Sequence, residues 1–294
     1  MNRKTKTLIR YIGSKARMVN EIRSIIPPSC DMLVEPFAGS AAVSINCTNI
    51  NNVYLNDINE YIANFLTVVS NEKTGKQLLN ELQKISIDDD AFQEARIRQK
   101  DHGSWNISNI SLATETWMLK NCSFNSGGNI FSSREDIWKH NKLEELRKII
   151  ESLSRRNVKV ENENALYFLE EGKFLESPNC FVYCDPPYIA GTRSKQNLYG
   201  VYDMQSITEH SELLMTIENA KAKIALSGYS SKLYDEYLLN RGWYKYSLGE
   251  FNKGCDVSKE KSKGTEIVWT NYSLGDNPPN GITECKQDNI RHLM

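Results

Sequence analysis

The stretch "YCDPPYIAGT", Tyr183 to Thr192, sets a carboxylate, two prolines and an aromatic ring in a row directly after an apolar run. "NCFVYCD" has the short, β-rich composition of a buried strand. Proline lacks a backbone N–H and has a fixed φ, so Pro186 and Pro187 cannot continue a central strand. Pro187 also pushes Pro186 toward an extended conformation. The expected product is a stiff exit from a buried strand, with Asp185 at its tip and Tyr188 just beyond. In open α/β sheets, ligands bind at the carboxyl ends of strands. Taken alone, the four residues also fit a strand-ending turn with a solvated acid.

A second pair of residues bears on the choice. "DMLVEPFAGSAAVSIN" reads as a strand, a turn at Glu35 to Ser40 and a helix rich in small residues. "NVYLNDINEYIANFLTVVS" repeats the scheme, with Asp57 at the strand end. A glycine turn after one strand, with an acid about 20 residues on at the end of the next, is a nucleotide-ribose arrangement. Gly39 is the turn and Asp57 the acid. The full Gly-x-Gly-x-x-Gly fingerprint is missing, because Ser40 and alanines follow Gly39. That argues against a pyrophosphate cradle and against NAD. No Gly-x-x-x-x-Gly-Lys-Ser/Thr occurs either, which argues against an ATP loop. A ligand with an adenosine ribose and no phosphates fits better, and S-adenosylmethionine is one.

The elements that must position these residues follow from the rest of the chain. Two successive strand–turn–helix units predict a doubly wound α/β sheet. From Asn71 to Asn157 the texture changes: "GKQLLNELQKI" and "KLEELRKIIESL" have helical periodicity, and the Asn- and Ser-rich stretch between them reads as a helical insertion carrying a polar loop. Strand candidates return at "NVKVENENALYFLEE", "NCFVYCD", "KIALSGY", "WYKYSLGEF" and "GTEIVWTNY". Residues 277–294 read as a flexible tail. The 294 residues suffice for a large core, and a net charge of −1 gives no global sign of a nucleic-acid partner. Seven scattered cysteines without a Cys-x-x-Cys pair point to a reducing compartment and away from zinc. No apolar run is long enough to span a membrane, and the basic start lacks a signal peptide's apolar core, so a cytoplasmic location is expected.

In order, "YIGSK", "EPFAGSAAV", "LNDIN", "LKNCSFN", "CDPPY", "LSGYSSKLYDEYL" and "GTEIVWTNY" resemble the D12 (Dam-like) class of N6-adenine-specific DNA methyltransferases, over nearly the whole chain to about residue 276. The resemblance implies a Rossmann-like, S-adenosylmethionine-dependent fold with a mixed, mostly parallel sheet. Residues 1–70 and 158–276 would form the catalytic domain and 71–157 an inserted helical target-recognition domain. It implies methyl transfer from S-adenosylmethionine to N6 of a flipped-out adenine in double-stranded DNA, leaving S-adenosylhomocysteine, with no metal. Methylation of RNA or of a protein amide, or a DNA-binding module without catalysis, are the rival readings. Asp185 favours adenine, since glutamine and cytosine-N4 relatives carry Asn or Ser there.

By resemblance, Tyr11, Lys15, Phe37, Ala38, Gly39, Ser40, Asp57, Asn164 and Asp185 would line the cofactor site. Asn164 stands where the family usually has Asp beside the cofactor's adenine. The catalytic set would be Asp185, Pro186, Pro187 and Tyr188. Cys184 does not follow a proline, as the nucleophile of a cytosine C5 enzyme does. Asn125, Ser126, Asn129 and Arg134 would belong to the DNA-recognition region, and Arg193 and Lys195 to a phosphate-contacting loop, with "NKGCDVSKEKSKGTE" as a second such loop. Members that read GATC carry an arginine where Asn129 stands, so a different recognition sequence is expected. A monomer is expected, in a restriction–modification system with a cognate endonuclease or as an orphan methylase.

Overall fold

A computed structural model describes residues 5–100, 109–124, 130–132, 136–189, 204, 206–252 and 263–285. The strands form one eight-stranded sheet in the order β3-β2-β1-β4-β5-β7-β6-β8. They are β1 Met32–Glu35, β2 Asn52–Asn56, β3 Asn157–Glu161, β4 Cys180–Cys184, β5 Lys223–Gly228, β6 Tyr244–Asn252, β7 Lys263–Thr270 and β8 Thr283–Glu284. Pairings β1/β4, β4/β5 and β2/β3 are parallel; β5/β7, β6/β7 and β6/β8 are antiparallel. This is the mixed, mostly parallel Rossmann-like sheet expected of a methyltransferase. The chain divides into two compact units, Met1–Val19 with Glu35–Phe168, and Asn20–Val34 with Leu169–Met294.

In the first unit, β2 and β3 pair in register from Asn52 opposite Asn157 to Asn56 opposite Glu161. Its helices are α2 Ala42–Asn46, α3 Glu60–Ser70, α4 Glu72–Lys84, α5 Asp89–Lys100, α6 Asn109–Asn121 and α7 Asp136–Leu153. Leu78 and Leu82 of α4, Trp117 of α6 and Ile149, Ile150 and Leu153 of α7 are buried in one core with Phe65 and Leu66 of α3. Helices α4, α6 and α7, within the segment expected as an inserted domain, thus share a core with α3. Gly75 permits the close approach of α4 to α7, since a Cβ there would lie 2.6 Å from Ile150 Cγ2.

Helix α6 falls in the Asn- and Ser-rich stretch expected to be a helical insertion carrying a polar loop. Its apolar periodicity is hidden because Thr114, Glu115, Thr116 and Asn121 are buried along with Trp117 and Leu119. Several of these groups are paired: the Thr114 and Thr116 hydroxyls donate to the Ile110 and Leu112 carbonyls at 2.8 Å each, and Glu115 Oε1 accepts from Arg98 Nε of α5 at 2.7 Å. A buried polar group is tolerated where its bonds are made.

Arg156 anchors the far end of α2. Its Nε donates to the Ile50 carbonyl at 2.8 Å, Nη1 to that of Ser44 at 2.8 Å and Nη2 to that of Cys47 at 3.1 Å. A single guanidinium therefore closes the carbonyls that a helix end leaves open. Arg156→Ala strands all three. Charge-assisted bonds of this kind contribute roughly 1.5–3 kcal/mol each, and water reaching the half-buried site recovers part of that. The expected loss is about 2–3 kcal/mol, read as a lowered urea midpoint with unchanged slope.

In the second unit, β4 is buried at every residue, as its unbroken apolar run requires in the middle of a sheet. Helix α9, Ile207–Ile217, opens on a capping box: Ser206 Oγ accepts from the Glu209 N–H at 3.1 Å, and Glu209 Oε2 accepts from the Ser206 N–H at 2.9 Å. Its Leu213, Leu214 and Ile217 are buried. Helix α10, Lys232–Leu238, follows β5. Residues 277–285, expected as part of a tail, carry β8, and the Cys285 N–H donates to the Lys245 carbonyl at 2.9 Å.

Candidate active site

The first unit gathers the residues expected around a nucleoside. Tyr11, Ile12, Gly13 and Ser14 make a tight turn: the Ser14 N–H donates to the Tyr11 carbonyl at 3.2 Å and Gly13 has φ +77°. Ser14 Oγ and Ser40 Oγ lie 2.9 Å apart, which ties this turn to the one after β1. Lys15 is buried in a one-turn 3₁₀ helix, and its Nζ donates to the Gly13 carbonyl at 3.1 Å.

The turn after β1 is held by β2. The Ala38 N–H donates to the Asn56 carbonyl at 2.8 Å, and the fully buried Asn56 amide donates to the Pro36 and Glu163 carbonyls at 3.0 Å each. Gly39 has φ +49°, and its N–H donates to Asp57 Oδ2 at 2.8 Å. The other oxygen, Oδ1, accepts from the Asn59 N–H at 2.9 Å. The glycine and the acid predicted to work together are thus directly bonded. Helix α2 is capped by a residue the sequence did not point to: its N-cap is Ala41, which has no polar side chain, and Glu35 Oε1 accepts from the Ser44 N–H at 2.8 Å instead.

Asp57 is buried, and its carboxyl is pushed up to about 6. Burial is the largest cause; the Asn59 and Gly39 N–H groups and the Lys120 ammonium pull the other way. Lys120, at the end of α6, also lies 5.2 Å from the centre of the Tyr11 ring. Burial lowers its own pKa while Asp57 raises it. Lys120 lies within "LKNCSFN", where nothing local marks it as a partner of Asp57.

Gly39 admits no side chain. A Cβ would lie 2.9 Å from Tyr11 Cε1, and its φ is one that L residues adopt at a cost of about 1–2 kcal/mol. Gly39→Ala is expected to displace the Tyr11 ring and the N–H on Asp57. Calorimetric titration with S-adenosylmethionine should show affinity at least about tenfold weaker, the equivalent of about 1.4 kcal/mol. Affinity within twofold of the parent would exclude this turn from the cofactor site.

Phe37 is half-buried, and Ala38 and Ser40 are buried. Asn164 caps α8, Ala165–Glu171: its Oδ1 accepts from the Leu166 and Tyr167 N–H groups at 2.9 and 3.4 Å. With that oxygen committed, any ligand role falls to its amide nitrogen. Asn125, Ser126, Asn129, Arg134, Arg193 and Lys195 lie outside the described residues, as does most of the second basic loop, 253–262.

The second unit holds the Asp-Pro-Pro-Tyr stretch, which leaves β4 without regular structure. Ser227, in β5, donates through Oγ to Asp185 Oδ1 at 2.9 Å and lies 3.3 Å from the Cys184 carbonyl. Pro186 is buried and Pro187 half-buried. The Tyr188 hydroxyl donates to Glu266 Oε1 on β7. Its ring meets that of Tyr229 edge-on, with centroids 4.8 Å apart and planes at 72°. Burial, then the Asp185 and Glu266 carboxylates, hold the Tyr188 hydroxyl well above its ordinary pKa, so it stays a proton donor. The buried Cys184 thiol is likewise pushed far up, which keeps it neutral and unreactive. Ser227, Tyr229 and Glu266 fell within "LSGYSS" and "GTEIVWTNY" but carried no local mark of a site.

The sequence profile of the D12 class N6 adenine-specific DNA methyltransferases matches residues 11–248. The chain belongs to this family. Among curated D12-like relatives, the Type II methyltransferase M.FokI of Planomicrobium okeanokoites is 23% identical over 91% of the chain, and the modification methylase StsI of Streptococcus sanguinis is 23% identical over 91%. The chain spans 43% of the length of each. The Type II methyltransferase M.CviBI of Paramecium bursaria Chlorella virus NC1A is 23% identical over 91% of the chain and is covered in full. Among the described residues, no group of three His, Cys, Asp or Glu side chains could hold a metal ion, and no helix is long and apolar enough to cross a membrane.

Proposed function

We propose that this D12 methyltransferase transfers a methyl group from S-adenosylmethionine to N6 of an adenine taken out of duplex DNA. The observation that carries the reading is the setting of Asp185: an acid at the exit of a fully buried strand, oriented by the Ser227 hydroxyl, with the Tyr188 ring held in place beside it.

The donor set of the first unit fits S-adenosylmethionine. Asp57 at the end of β2 is an acceptor for both ribose hydroxyls. Gly39 brings backbone close, and no phosphate cradle is present. Phe37 and Tyr11 supply apolar and aromatic surface, and the Asn164 amide nitrogen a donor for an adenine edge. When bound, the cofactor supplies an electrophilic methyl on a sulfonium.

The chain must overcome a specific difficulty. The adenine N6 lone pair is delocalised into the ring, which makes it a poor nucleophile. Asp185 and the Pro186 carbonyl accept the two N6 hydrogens, so the nitrogen becomes pyramidal and its lone pair turns out of the ring plane. The carboxylate stabilises the positive charge that develops there and accepts the proton that N6 sheds once the methyl is in place. The two prolines hold the carbonyl in one place, which lowers the entropy to be lost on alignment. N6 is paired inside a duplex, so the base must leave the stack, and Tyr188 offers it a stacking face. The helical segment 71–157 is the proposed target-recognition region, and the methylated DNA serves restriction–modification or stands as an orphan mark.

The test is transfer of tritium from labelled S-adenosylmethionine to duplex DNA, RNA or protein, beside Asp185→Ala. Label on duplex DNA as N6-methyladenine, absent with the variant, supports the reading. Label on RNA or protein alone would replace it, and mapping methylated genomic adenines after expression gives the sequence context.

A further inference from the structure

We propose that Glu266 is a positioning residue of the target-base site, fixing the Tyr188 ring against Tyr229 so that it offers one fixed face to the extruded purine. This rests on the adenine reading above and adds a residue and a task to it.

The geometry comes from the antiparallel β5/β7 pair. Ala225 faces Thr270, and Gly228 faces Ile267. Continued one step, that register sets Glu266 opposite Tyr229, at the exit of β5. Tyr188 reaches the same place from the exit of β4, and its hydroxyl donates to Glu266. The bond at the hydroxyl and the edge-on contact with Tyr229 act on one ring. The first fixes how far it can swing and the second fixes its plane. A tyrosine just past two prolines in irregular chain has no helix or strand to select its rotamer, so contacts of this kind must do so.

Glu266 is only 2% exposed. Burying a carboxylate carries a heavy desolvation cost that an apolar residue on β7 would avoid, so its place beside Tyr188 points to a task other than stability. Gain for the base follows from pre-organisation: a ring already held need not be ordered when the purine arrives.

The experiment uses the full chain, a duplex carrying its methylation site, and the same duplex with 2-aminopurine in place of the target adenine. Four proteins are compared with the parent: Glu266→Gln, Glu266→Leu, Tyr188→Phe and the Tyr188→Phe/Glu266→Leu double variant. Glu266→Leu and Tyr188→Phe each remove the bond and should lower kcat by about 10-fold or more, with S-adenosylmethionine affinity within twofold of the parent. Glu266→Gln keeps a carbonyl acceptor and should restore activity to within about threefold. The double variant should be no worse than the worse single one, because both remove the same interaction. Extruded 2-aminopurine stacked on a fixed ring is quenched, so both singles should brighten it relative to the parent complex.

Losses that multiply in the double variant, or 2-aminopurine emission unchanged in Glu266→Leu, overturn the proposal. If Glu266→Leu does not fold, Tyr188→Phe decides alone, and 2-aminopurine emission unchanged in that variant overturns the proposal. A parent protein that labels no duplex DNA removes the adenine reading and this inference together. A parent that labels DNA while the losses multiply removes the inference alone.

Discussion

Asp185→Ala is expected to lower kcat for methyl transfer to duplex DNA by roughly 10²–10³-fold, the range seen when one pre-organised electrostatic contact to a transition state is lost. The charge that Asp185 meets exists only as the N6–methyl bond forms. The loss should therefore fall equally on kcat and kcat/KM, while KM for DNA and affinity for S-adenosylmethionine change little. The fold should tolerate the change. Ser227 loses one acceptor but keeps the Cys184 carbonyl 3.3 Å away, so no buried hydroxyl is orphaned. Single-turnover kinetics with a thermal melt beside them measure both halves. Asp185→Asn keeps a neutral acceptor and should fall between parent and Ala. A variant that melts like the parent yet retains more than about a tenth of its rate would falsify the assignment of Asp185 to the chemical step.

The second large effect is a pH dependence of cofactor binding centred on Asp57. Its carboxyl titrates near 6, against an ordinary value of 3.8. A carboxyl raised in the folded state binds its proton more tightly there than in the unfolded chain. Its contribution to stability is therefore fully present below about pH 4 and lost as pH rises through 6. At pH 7 the buried charge opposes folding by about 3 kcal/mol. Binding runs the opposite way. Ribose hydroxyls donate to the ionised form, so affinity for S-adenosylmethionine should fall about tenfold per pH unit below 6. Calorimetric titration between pH 5 and 8 measures the slope.

Asp57→Asn should flatten that profile and weaken binding at pH 7.5 by about 10- to 100-fold, since charge-assisted bonds are lost. Its amide would also set a donor against the Gly39 or the Asn59 N–H, both of which point at the present oxygens. Lys120→Met removes a charge that lowers the Asp57 pKa and should move the midpoint of the profile upward. Affinity that is flat from pH 5 to 8 in the parent protein would take Asp57 out of the ribose role.

The exits of β1, β2 and β4 were readable from residue order because their signals are local. An apolar run sets a strand, and Pro, Gly or Asp within a few residues ends it. Asp57, Gly39 and the Asp-Pro-Pro-Tyr stretch stand at those exits for that reason. Asn164 carries a second task that residue order did not mark: its oxygen caps α8, which leaves the amide nitrogen for the adenine edge that the resemblance implies. The bounds of helix α6 were not legible because residues 113–119 are buried on every side, which erases the periodicity that marks a surface helix. The polar tail was missed in part for another reason. An edge strand of two residues is made by what β6 offers it, not by its own composition.

The partners of the site residues lay further out of reach. Glu35 on α2, Lys120 beside Asp57, Ser227 on Asp185 and Glu266 on Tyr188 meet across strands and helices, the last pair 78 residues apart. Hydrogen bonds and charge pairs in a core depend on angstrom-level placement that strand register and helix packing create. Residue order carries strand, turn and acid; the burial that raises Asp57 and the anchoring of the Tyr188 ring exist only once distant segments have closed around them.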